Sequence, residues 1–191
     1  MLSQALVFLV ETVLGLFALA LLLRFYLQLV RAPFRNPLTQ FVCAATDFAV
    51  IPARRVVPGL WGMDLATLGL AWLAQFLDLF LVFQIKGLGL GPAPVVMIMG
   101  LALLAAVQLF KVSVYILMVA VVAQALLSWV NSHTPVAPAL DALTRPFLRP
   151  IQKRLPVVGG VDLSPLLLIV ACQLVLILPV AWLEANALRV F

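Results

Sequence analysis

Between Val95 and Trp129 the only charged side chain is Lys111. Three other stretches share this character: Ala5 to Leu23, whose polar residues are Glu11 and Thr12, then Leu65 to Phe83 and Leu163 to Leu183. A helix needs about 20 apolar residues to cross the roughly 30 Å hydrocarbon layer of a bilayer, and these runs reach or exceed that. Inside lipid no water satisfies a backbone N–H or C=O, so such a run must be helical. Composition agrees. Of 191 residues 65% are hydrophobic and 10% charged, where a soluble domain carries about 25% charged residues. Mean hydropathy is +1.22. The expected fold class is an all-α integral membrane protein. The first run has no basic residues before it and is too long for the apolar part of a secretory signal. It is expected to be retained as the first span, extending to about Val30.

As one straight helix, Val95 to Trp129 would be about 50 Å long. Three arrangements fit: one long helix, two spans hinged near Lys111, or a surface piece followed by one span. An internal repeat decides between them. Laying Pro37 on Pro135 brings together, without a gap, Thr46 and Thr144, Pro52 and Pro150, Arg55 and Lys153, and Pro58 and Pro156. Gly62 then meets Gly160, Asp64 meets Asp162, and Gln75 meets Gln173. These are mostly Pro, Gly and Asp, which chance pairing of apolar runs does not supply. Each repeat is then span, basic connector, span. The predicted organisation is a first repeat over 1–84, an inter-repeat segment over 85–102 and a second repeat over 103–191, with four transmembrane helices. The two repeats are parallel. Residues 92–102 are expected as an interfacial or partly re-entrant extension of a long third helix.

Nine of the twelve Lys and Arg residues fall in two windows: Arg24, Arg31, Arg35, Arg54 and Arg55, then Arg145, Arg149, Lys153 and Arg154. With four spans both windows lie on one side of the membrane, and the positive-inside rule makes that side the cytoplasm. The termini and the Lys86–Pro94 loop then face outward. Five spans would put the two windows on opposite faces and turn a parallel repeat into an inverted one.

Arg24, Asn36-Pro37-Leu38, Gln40, Thr46, Pro52, Arg54-Arg55, Pro58, Gly62 and Asp64 together resemble the YggT family signature. Thr144, Pro146, Pro150, Arg154-Leu155-Pro156, Gly159-Gly160 and Asp162 resemble the family's second copy. Phe48 stands where the second copy has Pro146 and the family usually has proline. The resemblance covers nearly the whole chain. It implies a small bacterial inner-membrane protein with plastid relatives, linked to cell division and envelope organisation, to cation handling under osmotic stress, and in plastids to cofactor assembly. It implies no established enzymatic reaction.

The connectors are the first candidate site. Each has apolar residues interleaved with cations: Arg54 and Arg55 in the first, Arg149, Lys153 and Arg154 in the second. Pro52 and Pro58 are expected to limit the first connector's helix to short pieces. Such segments lie in the headgroup layer, apolar side down and guanidinium groups on lipid phosphates. Two readings stand: a topology anchor without a ligand, or a docking surface for anionic headgroups or an acidic partner. Nucleic acid is not expected as a partner, because no soluble domain presents a groove. Asp64 and Asp162 are expected as helix N-caps, with an ion pair to the other connector as the alternative. Gln75 and Gln173 fall near mid-span, where amides join helices by hydrogen bonds; a polar pore is the alternative. Glu11, Asp78 and Lys111 are charges within spans, each roughly 9–12 Å from the outer face by helix rise. They are expected to cluster in the bundle interior, as an ion-pair clamp or as part of an ion or proton path.

Other residues argue against further chemistry. Gly87 to Gly91 lacks the Gly-Lys-Ser/Thr of a phosphate loop and reads as a flexible turn. His133, the only histidine, has no co-ligand set for zinc or haem. Ser128 and Ser132 have no base or acid arranged beside them. Cys43 and Cys172 have no metal spacing and are expected as free thiols. No cofactor and no enzymatic activity are expected. The expected function is a multi-pass inner-membrane scaffold or assembly protein, binding lipid headgroups, another membrane or division protein, or a second copy of itself. The alternative is an oligomeric cation channel or transporter component in osmotic or potassium homeostasis.

Overall fold

A computed structural model describes residues 1–33, 36–57, 59, 63–87, 94–130, 134–154 and 162–188. Its regular elements are helices: α1 (Leu2–Leu29), α2 (Pro37–Val56), α3 (Leu65–Ile85), α4 (Pro94–Val130), α5 (Ala137–Gln152), α6 (Ser164–Val175) and α7 (Ala181–Leu188), with a π-helical turn, Leu176–Val180, joining the last two. Four stretches are long and apolar enough to cross a membrane: Leu2–Leu29, Leu65–Ile85, Pro94–Ser128 and Ser164–Ala187. They carry large apolar side chains on their outer surfaces, such as Phe8, Leu16, Val119, Leu166, Val170 and Trp182. A surface of that kind is stable against lipid and not against water.

The third span is one continuous helix. α4 has 37 residues, about 55 Å of rise, and passes through Lys111 without a hinge. Of the inter-repeat segment, residues 88–93, including Gly89 and Gly91, lie outside the described residues. So do Arg35, Pro58, Gly62, Ser132, His133, Leu155, Pro156, Gly159 and Gly160.

The two connectors do not form short pieces. α2 has 20 residues with Pro52 inside it, and α5 has 16 with Pro146 and Pro150 inside. Proline in a helix frees the carbonyl four residues back. All three prolines are on the exposed side of their helices. The opposite side of each helix packs inward. Thr39, Val42, Thr46 and Val50 of α2 are buried, as are Leu140, Leu143, Thr144 and Leu148 of α5. Val50 joins Leu21, Leu22, Ala71 and Leu109 in one core cluster, while Leu148 joins Val114, Val121, Leu168 and Cys172 in another. A third, with Leu27, Ala120, Ala139, Leu140 and Leu143, ties α1 to the second repeat. The connectors are thus wedges between spans, held by the same positions in both repeats: Val42 with Leu140, Thr46 with Thr144, Val50 with Leu148.

The repeats differ in how their spans pair. α1 and α3 make the most extensive helix contact in the molecule; α4 meets the last span less extensively, through α6, the π turn and α7 in succession. α1 ends in a Schellman turn. Ala32 N–H reaches Leu27 C=O at 2.9 Å and Arg31 N–H reaches Gln28 C=O at 3.0 Å, with Arg31 at φ 52°. That left-handed position usually holds glycine. Burial of Ala32 against Leu27 supplies the apolar contact that accompanies the motif.

Candidate functional site

The first connector is pinned by Arg24, which is buried near the end of α1. Its Nη1 donates to Thr46 Oγ1 at 2.8 Å and to Asp47 Oδ1 at 2.7 Å, bridging α1 to α2. Farther along, Arg54 donates from Nη2 and Nε to Asp64 Oδ2 at 2.5 and 3.1 Å. Asp64 is the N-cap of α3: Oδ1 accepts from Thr67 N–H at 3.2 Å, and Oδ2 accepts from the Thr67 hydroxyl. Burial pushes the Asp64 carboxyl up. The hydrogen bonds from Arg54 and Thr67 and the Arg54 charge outweigh that and hold it below its usual value. Asp64 thus caps its helix and pairs with a cation of its own connector rather than of the other.

The second repeat reproduces the frame with different charges. Asp162 Oδ1 accepts from Ser164 N–H at 2.9 Å, capping α6 from just ahead of its N-cap residue, Leu163. Oδ2 accepts from Gln152 Nε2 at 2.8 Å, the repeat counterpart of Arg54. Burial raises the Asp162 carboxyl, and the bonds from Ser164 and Gln152 bring it below its usual value. Thr144 donates to Gln124 Oε1, and Gln124 Nε2 donates to Asp141 at 3.3 Å. No arginine is spent at this junction. Arg145 stands where the first repeat has Asp47.

The consequence is an asymmetry of cations. Two of the first repeat's arginines are committed to acids, leaving Arg31 and Arg55 exposed without an acidic partner among the described residues. In the second repeat, Arg145, Arg149, Lys153 and Arg154 are all exposed, and none has an acidic partner among the described residues. These cations edge a large groove of about 1270 Å³ that continues onto apolar residues of α1, α4 and α6.

The intramembrane residues depart from the expected cluster. Lys111 Nζ is paired with Glu184 Oε1 at 2.8 Å, and Gln108 Nε2 donates to the same oxygen at 3.1 Å. No ion pair links Lys111 to Glu11. Glu11 is exposed on the outer surface of α1 rather than interior. It lies near enough to Asp78 for the two charges to interact, and with Lys86 it lines a cavity of about 430 Å³. Asp78 is buried in α3, its Oδ1 unpartnered. Counting depth along a helix gives height but not the side a residue faces. Glu184 was missed because the last span was expected to end at Leu183. The repeat held a signal, since Glu184 falls on Lys86. Both repeats therefore combine an acid and a base at this height, with the signs exchanged. The glutamines also part company: Gln75 is buried, whereas Gln173 is exposed and makes no hydrogen bond among the described residues. Cys43 and Cys172 are both free. No group of three His, Cys, Asp or Glu among the described residues could hold a metal ion.

Fold and site together define a four-span membrane protein with two wedge connectors. The chain belongs to the CCB3/YggT family, whose profile matches residues 3–85 and 103–183. It is 38% identical over 177 residues to an uncharacterized protein of Pseudomonas aeruginosa, covering 91% of this chain and 87% of that one. It is 35% identical over 167 residues to YggT of Escherichia coli K12, described as uncharacterized, covering 87% and 84%. A protein of Vibrio alginolyticus is 32% identical, covering 87% and 88%. No solved structure matches the chain.

Proposed function

We propose that this protein is a non-enzymatic scaffold of the bacterial inner membrane, with both connector helices on the cytoplasmic side. The observation that carries this reading is the set of cations on α5 and the turn that ends it, none with an acidic partner among the described residues: Arg145, Arg149, Lys153 and Arg154 are exposed while the opposite face of the helix is buried in the bundle. A helix held that way can neither leave the bundle nor bury its charges within it. It offers them to anionic groups at headgroup depth, on lipids or on a partner protein. A role in organising division or envelope proteins, which the family resemblance implies, is part of the same proposal.

The test is photo-crosslinking in intact membranes from positions beside Arg55 and Arg149, in the parent and in a variant with Arg55, Arg149, Lys153 and Arg154 all changed to Gln. Loss of crosslinks with unchanged helicity and thermal midpoint is the expected result. Unchanged crosslinks would overturn the reading. A second reading, a cation path in an oligomer, draws on Asp78, whose buried carboxylate oxygen lacks a partner close to Glu11. Buried intramembrane carboxylates commonly mark ion or proton routes. Cation flux into liposomes that falls in Asp78→Asn with assembly intact would favour it, and equal flux in both would remove it.

A further inference from the structure

We infer that the groove of the second repeat is a binding site for one anionic phospholipid, with its phosphate on the α5 cations and acyl chain between α4 and α6. The inference rests on the proposed placement of α5 at headgroup depth. It adds that recognition belongs to one repeat and involves the chain as well as the headgroup.

Three observations carry it. The first is size and lining. At about 1270 Å³ the groove exceeds the roughly 300–1,000 Å³ of ordinary small-ligand pockets. Its apolar wall includes Tyr26 and Leu29 of α1, Leu117 and Ala120 of α4, and Leu168 and Ala171 of α6. Arg145, Arg149, Lys153 and Arg154 stand at one end. Few ligands other than an anionic amphiphile match a cationic end on a long apolar trough.

The second is depth. On α6 the lining continues to Val175, about 16 Å beyond the helix start at Ser164. On α4 it runs from Ala120 to Phe110, about 15 Å. Both lengths equal about half of the roughly 30 Å hydrocarbon layer, the thickness of one leaflet.

The third is the contrast between repeats. In the first, α1 and α3 close on each other along their length, and Arg24 and Arg54 are held by Asp47 and Asp64. In the second, α4 and the last span pack less extensively, Gln152 replaces Arg54 at the capping aspartate, and Arg145, Arg149, Lys153 and Arg154 are left without acids among the described residues. The same frame is closely packed with its connector arginine Arg54 held by the capping aspartate once, and grooved with four exposed cations once.

The experiment is native mass spectrometry of the full chain released from nanodiscs of mixed phosphatidylglycerol and phosphatidylcholine. The parent is expected to retain one phosphatidylglycerol. Arg149→Gln/Lys153→Gln should lower the lipid-bound fraction on the order of tenfold. Ala171→Trp, which fills the trough, should lower it similarly. Leu174→Trp puts the same bulk on exposed α6 surface outside the groove and should retain the lipid; its thermal midpoint controls for folding. Retention unaffected by Ala171→Trp but lost in the charge variant would overturn the groove site and leave the headgroup-docking reading standing. Equal retention of phosphatidylcholine, or retention unchanged in the charge variant, would overturn the inference, and the latter would also count against α5 as a docking surface.

Discussion

Arg24 shows how a membrane chain uses a charge it cannot leave in lipid. The guanidinium is buried, and its bonds to Thr46 and Asp47 fasten α2 to α1. Replacing it with Met keeps the stem's bulk but removes those bonds, and a hydrogen bond to a charged group is worth about 1.5–3 kcal/mol. A loss of stability of that size is expected for Arg24→Met in thermal unfolding of the purified protein. Lys111 and Glu184 are a second such pair, half-buried and supported by Gln108. A double-mutant cycle of Lys111→Met and Glu184→Leu should give a coupling of about 0.5–3 kcal/mol, and the cycle of Lys111→Met with Glu11→Gln should give none. Asp64 sets a pH dependence. Its folded carboxyl titrates below the unfolded value of about 3.9. Its stabilisation is therefore complete above that value and is lost as pH falls through the folded one. Asp64→Asn should flatten the drop in thermal midpoint between about pH 5 and pH 3.

At the scale of the element, the last span is the informative one. Pro179 lies within the π-helical turn Leu176–Val180. Lacking an N–H, it leaves the carbonyl of Val175 without its usual α-helical donor. A π turn accommodates the break with an extra residue, which changes the face that the following helix presents. α7 then packs on α4 and brings Glu184 to Lys111. Pro179→Ala restores the N–H and permits a regular helix, turning α7 so that the pair separates. Near-zero coupling between Lys111 and Glu184 in the Pro179→Ala background is the expected result; unchanged coupling would show that packing alone sets the face. The connectors give the complementary lesson. Their prolines suggested broken pieces, yet packing of Val50 and Leu148 into the core keeps each connector one helix, with the prolines turned outward.

For the whole molecule, the repeat yields two halves of unequal character. One is tightly packed with Arg24 and Arg54 committed to acids; the other carries a groove edged by four exposed cations. The four spans and the long α4 also make a geometric prediction about sides. In a chain whose own cysteines are replaced, Arg55→Cys and Arg149→Cys should react with a membrane-impermeant thiol reagent from the same face. Val96→Cys, on the end of α4 that exceeds the bilayer thickness, should react from the other. Labelling of Arg55→Cys and Arg149→Cys from opposite faces would break the parallel-repeat topology.

Length and apolarity were enough to determine membrane helices and their approximate ends, because a bilayer of fixed thickness penalises every unpaired backbone group within it; the internal repeat was needed to make them four spans. The Pro, Gly and Asp correspondences gave the duplicated plan and the capping roles of Asp64 and Asp162, since those residues act through local backbone geometry. The family signature was equally plain from Asn36-Pro37-Leu38, Arg54-Arg55 and their second-copy counterparts. Tertiary structure alone decided which way each polar side chain faces. Glu11 and Gln173 turn outward, Asp78 and Gln75 turn inward, and Lys111 meets Glu184 rather than Glu11. Those outcomes depend on helix rotation, on a π turn and on how closely two helices approach. The same packing closed the first repeat and left the second with a groove, which no residue-by-residue alignment of the two copies contains.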